Sequence, residues 1–404
     1  MSDSLTDKLH VSNNASKNPS PVQDNAKPAH WVDAAGSAFQ NPWDSWRSHT
    51  ISDRLSLLKA ARNFPSHPKD AATLFPIRTP TWGRSSGDGD KFAEDSDFNE
   101  KIKVTWLGHA CFFVEFPARV GDRGVRILFD PVFSDRCSPS QWVGPKRYTP
   151  PPCKIEDIPE VDAIVISHNH YDHLDTHTIR TLLARSPSRS PHIFAPLGNG
   201  PYFKDLGVAV SHTHIMDWWD SKRVEVSAAG KDNQRRAVDI TCTPGQHFTG
   251  RSIFDHFKTL WASWTIEEIV PETNPSSRPP VKVFFAGDTG YRAVNDGEDE
   301  DKVPVCPAFK QIGDRFGGFD CALIPIGAYL PRQFMSPIHC APQDSVRLFQ
   351  DIKAKRAVGM HWATWVLTTE DVLEPPKRLA EECKKLGIDD DAFTVCDIGE
   401  TLFL

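Results

Sequence analysis

Long apolar runs are missing from this 404-residue sequence. No stretch of about 18 consecutive apolar residues occurs, so we expect no helix that spans a membrane. The N-terminus lacks the apolar segment of a secretory signal, and Asp3 and Asp7 argue against a mitochondrial presequence. These absences favour a cytoplasmic location.

Paired cysteines and excess positive charge are missing as well. The nine cysteines include no C-x-x-C pair, and without an export signal we expect reduced thiols. A net charge of −7 gives no support for a nucleic-acid partner, which normally needs a basic face, although a local basic patch can exist in an acidic chain. We therefore expect no nucleic acid partner.

Composition divides the chain into three parts. Residues 1–40 are mostly polar with little to bury, so they are predicted to form a disordered tail. Residues 41–100 are predicted to be an N-terminal extension, and residues 101–404 a catalytic domain. These roughly 300 residues suffice for one two-sheet domain with a substantial core.

The extension contains an amphipathic helix candidate at residues 51–64. Ile51, Leu55 and Leu58 recur at helical spacing, and basic side chains are available for the opposite face. Such a helix either packs on its own domain or lies on a membrane surface. In the second case the protein would contact intracellular membranes peripherally.

A cluster of metal-binding residue types follows a short apolar run. Residues 163–166 are predicted to form a buried strand, and the sequence His-Asn-His-Tyr-Asp-His comes directly after it. Residues i and i+2 of an extended chain point the same way, so His168 and His170 can converge on one ion. The chain then turns, and Asp172 and His173 face a second point nearby. The segment that follows has helical spacing, which places the motif on a loop between a strand and a helix.

Three further candidate ligands follow apolar segments later in the chain. They are His247, Asp288 and His361. A Gly-Asp turn after a strand is often a plain turn, but the ordered set indicates a site for two divalent ions. Asp130, after the apolar run 126–129, is predicted either to hydrogen-bond a ligating imidazole or to form a structural turn.

This ordered set resembles the metallo-β-lactamase superfamily. The resemblance implies an α+β fold, the four-layer αβ/βα sandwich, with ligands on loops at one edge of two packed sheets. It also implies a division of the ligands between two ions, with a water or hydroxide as second bridge. By that resemblance one ion is held by His168, His170 and His247, the other by Asp172, His173 and His361, and Asp288 bridges both.

Asn169 bears on the identity of the ions. Diiron oxidoreductases of this superfamily usually have Glu at this point and carry a flavodoxin module, and this chain has neither. The resemblance therefore favours two zinc ions per chain over redox iron.

Sequence blocks outside the ligands resemble the N-acyl-phosphatidylethanolamine-hydrolysing phospholipase D family. The blocks are residues 41–43, 105–110, 138–141, 144–147, 217–219, 284–291, 324–329 and 373–376. The resemblance implies a dizinc phosphodiesterase that acts on a phospholipid, releases N-acylethanolamine and leaves phosphatidic acid. The alternatives are another dizinc hydrolase of the same fold, such as a lactonase, and a non-catalytic metal-binding scaffold. The sequence leaves a homodimer open.

The same resemblance suggests roles for residues beside the ions. Asp288 is predicted to orient the attacking hydroxide. His339 is predicted to hydrogen-bond a phosphate oxygen or to protonate the leaving group, and Gln141 and Trp142 to contact the substrate. Aromatic residues of these loops either line a groove for acyl chains or fill the core. They are Trp142, Trp218, Trp219, Phe334, Trp362 and Trp365.

Two segments have the composition of insertions. Residues 271–280 are rich in proline and serine, and residues 295–302 are strongly acidic. Both are predicted to be solvent-exposed loops. The acidic segment is expected to be a passive surface loop, with partial shading of the site as the alternative.

Overall fold

A computed structural model describes residues 8–14, 27–84, 100–118, 123–185, 189–227, 235–270 and 278–404. The strands are β1 Lys8–Asn13, β2 Lys103–Trp106, β3 Phe112–Glu115, β4 Arg126–Phe129, β5 Ala163–Val165, β6 His192–Pro196, β7 Thr213–Met216, β8 Ser221–Ser227, β9 Arg235–Thr243, β10 Ser263–Ile269, β11 Lys282–Phe285, β12 Phe319–Pro325, β13 Ala354–Met360, β14 Phe393–Thr394 and β15 Thr401–Phe403. The helices are α1 Ile51–Ala60, α2 Ala71–Leu74, α3 Thr176–Arg185, α4 Gly200–Asp205, α5 Ala308–Phe316, α6 Arg332–Met335, α7 Pro342–Asp351 and α8 Glu374–Lys385. Short 3₁₀ helices occur at Ala61–Asn63, Ile155–Asp157 and Val210–His212.

The strands form two mixed sheets. The order in the larger sheet is β1-β8-β9-β10-β11-β12-β13-β14, and the order in the smaller one is β15-β2-β3-β4-β5-β6-β7. Strands β11 to β14 are parallel to one another, as are β4 to β7, whereas the remaining pairs are antiparallel. The central parallel strands are short and apolar because both of their faces are buried.

Helices cover the outer face of each sheet. Side chains of both sheets meet in one large core, and Phe129 of the smaller sheet packs on Phe285 of the larger one. On the outer face of the smaller sheet, Ile179 and Leu182 of α3 pack in a second cluster. Helices α5, α7 and α8 lie on the larger sheet. The fold is therefore the predicted four-layer αβ/βα sandwich, and the predicted strand and helix around the histidine motif are confirmed as β5 and α3.

The prediction of a disordered tail at residues 1–40 is wrong for the part that the structure describes. Strand β1 pairs antiparallel with β8 along its whole length, and Leu9 and Val11 pack against the core. Further along, Phe39 is 1% exposed and its amide donates to the carbonyl of Phe257. Buried apolar side chains and strand pairing offset the entropy lost on ordering these residues. Residues 1–7 and 15–26 lie outside the described part.

The helix predicted at residues 51–64 is confirmed as α1 and the 3₁₀ turn after it. Buried Asp53 attaches its first turn to the domain, since its carboxylate accepts hydrogen bonds from Arg47 at 2.7 Å and from Gln333 of α6 at 3.1 Å. Ile51 and Leu55 are 79% and 54% exposed. The side chain of Leu58 lies outside the described part of the structure.

None of the helices in the described ranges is both long enough and apolar enough to cross a bilayer. Most of the predicted insertion at residues 271–280 lies outside the described ranges, which resume at residue 278. Residues 295–302 form turns on the surface of the domain.

Candidate metal centre

The predicted ligands meet at one edge of the sandwich, where several strands end. His168 follows β5, His247 follows β9, Asp288 follows β11 and His361 follows β13 directly. The carboxyl ends of neighbouring parallel strands lie at the same edge of a sheet, which is why residues far apart in sequence converge here. Both sheets contribute, so the centre lies between them.

Three imidazoles form the first group of potential ligands. His168 Nε2 lies 2.8 Å from His170 Nδ1, and His247 Nε2 lies 3.4 Å from that same atom. Their ring nitrogens lie close enough together for one metal ion. The His247 ring is held from behind, because its Nδ1 donates to the carbonyl of Ile338 at 2.8 Å.

A carboxylate and two imidazoles form the second group. The Nε2 atoms of His173 and His361 each lie 3.6 Å from Asp172 Oδ2. These side chains again lie close enough to share an ion. Asp172 is therefore grouped with His173 and His361.

Asp288 reaches both groups. Its Oδ2 lies 3.1 Å from Nε2 of both His173 and His361, 3.8 Å from His168 Nε2 and 3.9 Å from His247 Nε2. Among the described residues, buried His173 Nε2, both ring nitrogens of His361 and Asp288 Oδ1 have no hydrogen-bond partner. Buried polar atoms are normally paired in well-formed hydrogen bonds. These atoms instead converge on a common point, so the donor set fits two bound cations.

Burial controls the charge of the first group. It lowers the pKa of His170 to about 3 and of His247 to about 4, with neighbouring imidazoles also acting on each ring. Their nitrogen lone pairs are therefore available to a metal at neutral pH. In the second group, burial alone would lower the pKa of His361, but Asp288 and Asp172 raise it to about 9. The carboxylates of Asp288 and Asp172 thus place negative charge where a bound cation would offset it.

Asp130 lies directly behind His173. Its Oδ2 is 2.6 Å from His173 Nδ1, and its Oδ1 accepts the amide of Ser167 at 2.7 Å. A ligating imidazole commonly donates its second ring N–H to such a carboxylate, which orients the ring. Asp130 also has a φ of +37°, so the carboxylate and the tight turn predicted as alternatives occur together.

His109 is a site residue that the sequence reasoning missed. It follows β2, is 1% exposed, and its Nε2 lies 3.0 Å from Asp172 Oδ2. Its own backbone is fixed, because its amide donates to Thr364 Oγ1 at 2.8 Å and its carbonyl accepts the amide of His361. His109 therefore orients Asp172. A histidine directly after a strand and a glycine was the available signal.

His339 lies beside the two groups, as predicted. Its Nε2 is 3.6 Å from Asp288 Oδ2, and its ring centroid is 4.9 Å from that of His361. Burial lowers the pKa of His339 well below its usual range, with Asp288 opposing the shift. Its buried Nδ1 has no hydrogen-bond partner among the described residues.

The structure places Gln141 at a cavity next to the ligand motif. The cavity has a volume of about 490 Å³ and is lined by Gln141, Tyr171 and Arg251, among others. The Gln141 amide hydrogen-bonds the backbone of Arg136 in both directions, at 2.9 and 3.0 Å, so it also shapes its own loop. Trp142 next to it is 90% exposed.

The remaining predicted aromatic residues lie at several depths. Trp218 and Trp365 are buried, whereas Trp219, Phe334 and Trp362 are half-buried. Asn169 has a structural role, since its side-chain oxygen accepts the amide of Gly250 at 2.9 Å. It thereby attaches the loop that carries Arg251 to the ligand motif.

Comparison with known proteins identifies the family. A sequence model of the Beta-lactamase superfamily domain matches residues 125–362. N-acyl-phosphatidylethanolamine-hydrolyzing phospholipase D 1 of Caenorhabditis elegans is 33% identical over 378 residues, which cover 90% of this chain and 92% of that protein. The chain belongs to the N-acyl-phosphatidylethanolamine-hydrolysing phospholipase D family. It is therefore a metal-dependent hydrolase of the metallo-β-lactamase fold.

Two further similarities bear on the family and on the fold. A Saccharomyces cerevisiae protein named N-acyl-phosphatidylethanolamine-hydrolyzing phospholipase D, mitochondrial, is 31% identical over 392 residues, 90% of this chain and 75% of that one. A solved structure of a possible metal-dependent hydrolase from Veillonella parvula matches with a TM-score of 0.50 at 17% identity and covers 75% of this chain and 100% of that chain. The second similarity shows the fold alone.

Proposed function

We propose that this protein is a dizinc phosphodiesterase that hydrolyses N-acyl-phosphatidylethanolamine to N-acylethanolamine and phosphatidic acid. The observation that carries the proposal is the position of His339, an imidazole outside the seven candidate ligands, whose Nε2 lies 3.6 Å from Asp288 Oδ2. A lactonase acts on a neutral ester and has no need of an extra imidazole for phosphate. Relatives named for this phospholipase reaction support the substrate.

The donor set suits zinc. The seven ligands are imidazoles and carboxylates without thiolates, and neutral imidazole is a good ligand for zinc. When bound, two zinc ions would attract the phosphodiester anion and lower the pKa of a water molecule towards about 7.

The remaining roles in the reaction belong to side chains of the protein. Asp288, between the two groups, orients the attacking water at its carboxylate oxygen. His339 is neutral at pH 7 because burial lowers its pKa, so it offers a ring N–H to a phosphate oxygen rather than a mobile proton. His109 and Asp130 hold Asp172 and His173 in place.

A lipid with long acyl chains has to be taken from a membrane surface. Two loops that border the cavity at Tyr171 end in exposed apolar side chains: Trp142 is 90% exposed, and Ile253 and Phe254 are 82% and 85% exposed. Such tips beside the site are suited to insert among headgroups, where aromatic rings are favoured. Helix α1 remains a second candidate for this contact, and cytoplasmic location remains a prediction.

Product analysis in ¹⁸O-labelled water tests the proposal. Attack at phosphorus should place the label in phosphatidic acid, which mass spectrometry identifies. Label in N-acylethanolamine would mean carbon–oxygen cleavage, and release of free fatty acid would mean ester hydrolysis. Either outcome would refute the proposed reaction.

A further inference from the structure

The acidic segment at residues 295–302 is bound to the domain through Glu300. The Glu300 carboxylate lies 3.0 Å from Nε and 3.2 Å from Nη2 of Arg332, and it accepts both N–H groups. A third hydrogen bond comes from the side chain of Gln343 at 3.2 Å. The segment is mostly exposed, as expected, and Glu300 attaches it to the domain.

Arg332 shares a second, fully buried carboxylate with Arg292. Asp344 Oδ2 lies 2.5 Å from Arg332 Nη2, and Asp344 Oδ1 lies 2.7 Å from Arg292 Nε. Arg292 also donates to the backbone carbonyl of Glu300. Burial opposes the charge of Arg332, but Asp344 and Glu300 raise its pKa. We call these four residues the charge network, in which two buried cations are balanced by two carboxylates.

The charge network encloses the segment that carries His339. Arg332 begins α6, Asp344 lies in the first turn of α7, and residues 336–341 run between these helices. Arg292 lies on the strand-end loop of Asp288. Without the Glu300 carboxylate, Arg332 and Arg292 would share Asp344, and Arg292 would keep the exposed Asp301 at 3.4 Å. The loss removes one restraint on Arg332 and on α6, which begins with it.

Hydrogen bonds inside the segment transmit its position to His339. The amide of His339 donates to the carbonyl of Met335, the last residue of α6, at 2.7 Å. The carbonyl of Ile338 accepts from His247 Nδ1 at 2.8 Å. A shift of α6 would therefore move the His339 ring relative to Asp288.

We propose that Glu300 is a positioning residue, which holds α6 through Arg332 and thereby keeps His339 at the distance from Asp288 that turnover requires. This inference rests on the proposed function, in which His339 binds the phosphate group. A small misplacement of a group that contacts the reacting atoms is enough to lower the rate constant of the chemical step.

A double-mutant cycle tests whether Glu300 acts through His339. In the full-length, zinc-loaded enzyme, Glu300→Gln should lower kcat by about 10-fold and leave KM within about twofold. In the His339→Ala background the same substitution should have little further effect, because the positioned group is gone. An unchanged kcat for Glu300→Gln, or equal losses in both backgrounds, would overturn the proposal.

Two further variants complete the test: one is a control for Glu300→Gln, and the other replaces it if it does not fold. Asp299 lies in the same segment but pairs with exposed Lys302 at 2.9 Å, so Asp299→Asn should leave kcat unchanged. Arg332→Lys keeps the positive charge but loses the bidentate hydrogen bond to Glu300, so it should also lower kcat. If Glu300→Gln does not fold, a folded Arg332→Lys variant with wild-type kcat would overturn the proposal.

A measurement without substrate separates this inference from the proposed function. His339 is 7% exposed, so its modification by diethyl pyrocarbonate, mapped by mass spectrometry, should be slow in the wild type and in Asp299→Asn and faster in Glu300→Gln. Equal rates would contradict the positioning role. Faster modification in an enzyme that does not hydrolyse N-acyl-phosphatidylethanolamine would support the position of His339 and refute only the assigned reaction.

Discussion

At the residue scale, Asp288 is the side chain on which the ligand groups converge, and its replacement is the most direct test of the centre. Asp288→Asn should lower turnover by about 10³-fold or more, because the amide no longer bridges the two groups. The fold should remain, since the Asp288 carboxylate faces the imidazoles of the centre. Steady-state kinetics with metal analysis of the same sample measures this.

A buried aspartate elsewhere provides the matched control. Asp239 is fully buried and pairs with Arg223 at 2.8 Å, away from the metal centre. Asp239→Asn should lower the melting temperature while turnover per folded molecule stays at the wild-type value. Wild-type turnover by a folded, metal-loaded Asp288→Asn enzyme would contradict the assignment of the bridge.

A histidine pair far from the ligands should make stability depend on pH. His192 Nδ1 lies 2.7 Å from His214 Nε2. Burial and His212 lower the pKa of His192 to about 4, and burial and His192 lower that of His214 to about 3. His10 and Lys222 add positive charge and Asp162 negative charge nearby. The unfolded chain binds protons below the ordinary pKa of 6.5, so this stability is present above pH 6.5 and is lost as pH falls towards 4.

Urea unfolding at several pH values measures the effect. His214→Gln should show a flatter fall in unfolding free energy between pH 6.5 and about 4 than the wild type. The metal centre is the same in both proteins, so the difference isolates the histidine pair. Equal slopes would mean that protonation of this histidine pair does not change the unfolding free energy.

The same scale shows which site residues sequence reasoning can reach. His168, His170, Asp172 and His173 are adjacent in sequence, so their spacing alone predicts a shared site. His109 contacts Asp172 from another strand end, and no local pattern records that contact. Its role depends on sheet topology, which spacing does not contain.

At the element scale, β1 and the segment after it are integral parts of the larger sheet. Deleting residues 1–40 should therefore destabilise the protein, because one edge of β8 loses its partner β1 and Phe39 leaves the core. The burial of one such phenylalanine contributes roughly 1.5–3 kcal/mol. A melting temperature within 1 °C of the full-length value would contradict the strand pairing, with deletion of residues 1–7 alone as the control.

The two apolar loop tips should carry the membrane contact. Trp142→Asp combined with Phe254→Asp should abolish binding to anionic vesicles and spare hydrolysis of a short-chain soluble analogue. Leu55→Asp on α1 is the matched control, since Leu55 is exposed and apolar but lies on a helix attached to α6. If vesicle binding is lost in the α1 variant and kept in the loop variant, the helix is the contact instead.

At this scale, the sequence predicts a strand or helix correctly where one pattern is strong. Strand β5 is apolar throughout and was predicted from that run. Strand β1 alternates Leu9 and Val11 with polar residues, which is the pattern of a half-buried strand, but it lies within a polar tail. Composition averaged over 40 residues conceals an alternation that is six residues long.

At the scale of the whole molecule, metal removal should affect both the activity and the number of protons that the protein binds. Fully active protein should contain two zinc ions per chain by elemental analysis, and chelation should abolish turnover. Adding zinc back to the metal-free protein at pH 7 should release protons, because the carboxylates raise the pKa of His361 to about 9 in the absence of an ion. At most one tightly held ion in fully active enzyme would refute the two-metal centre.

The order of the candidate ligands and strands along the chain has a consequence for biosynthesis. The ribosome has to deliver His361 before the ligand set is complete, and it has to deliver β15 before β2 gains its outer partner. The full ligand set therefore cannot hold both ions until His361 has been synthesised. Because imidazole and carboxylate sites select among divalent metals partly by availability, the metals present where the chain folds should influence which ions the site receives.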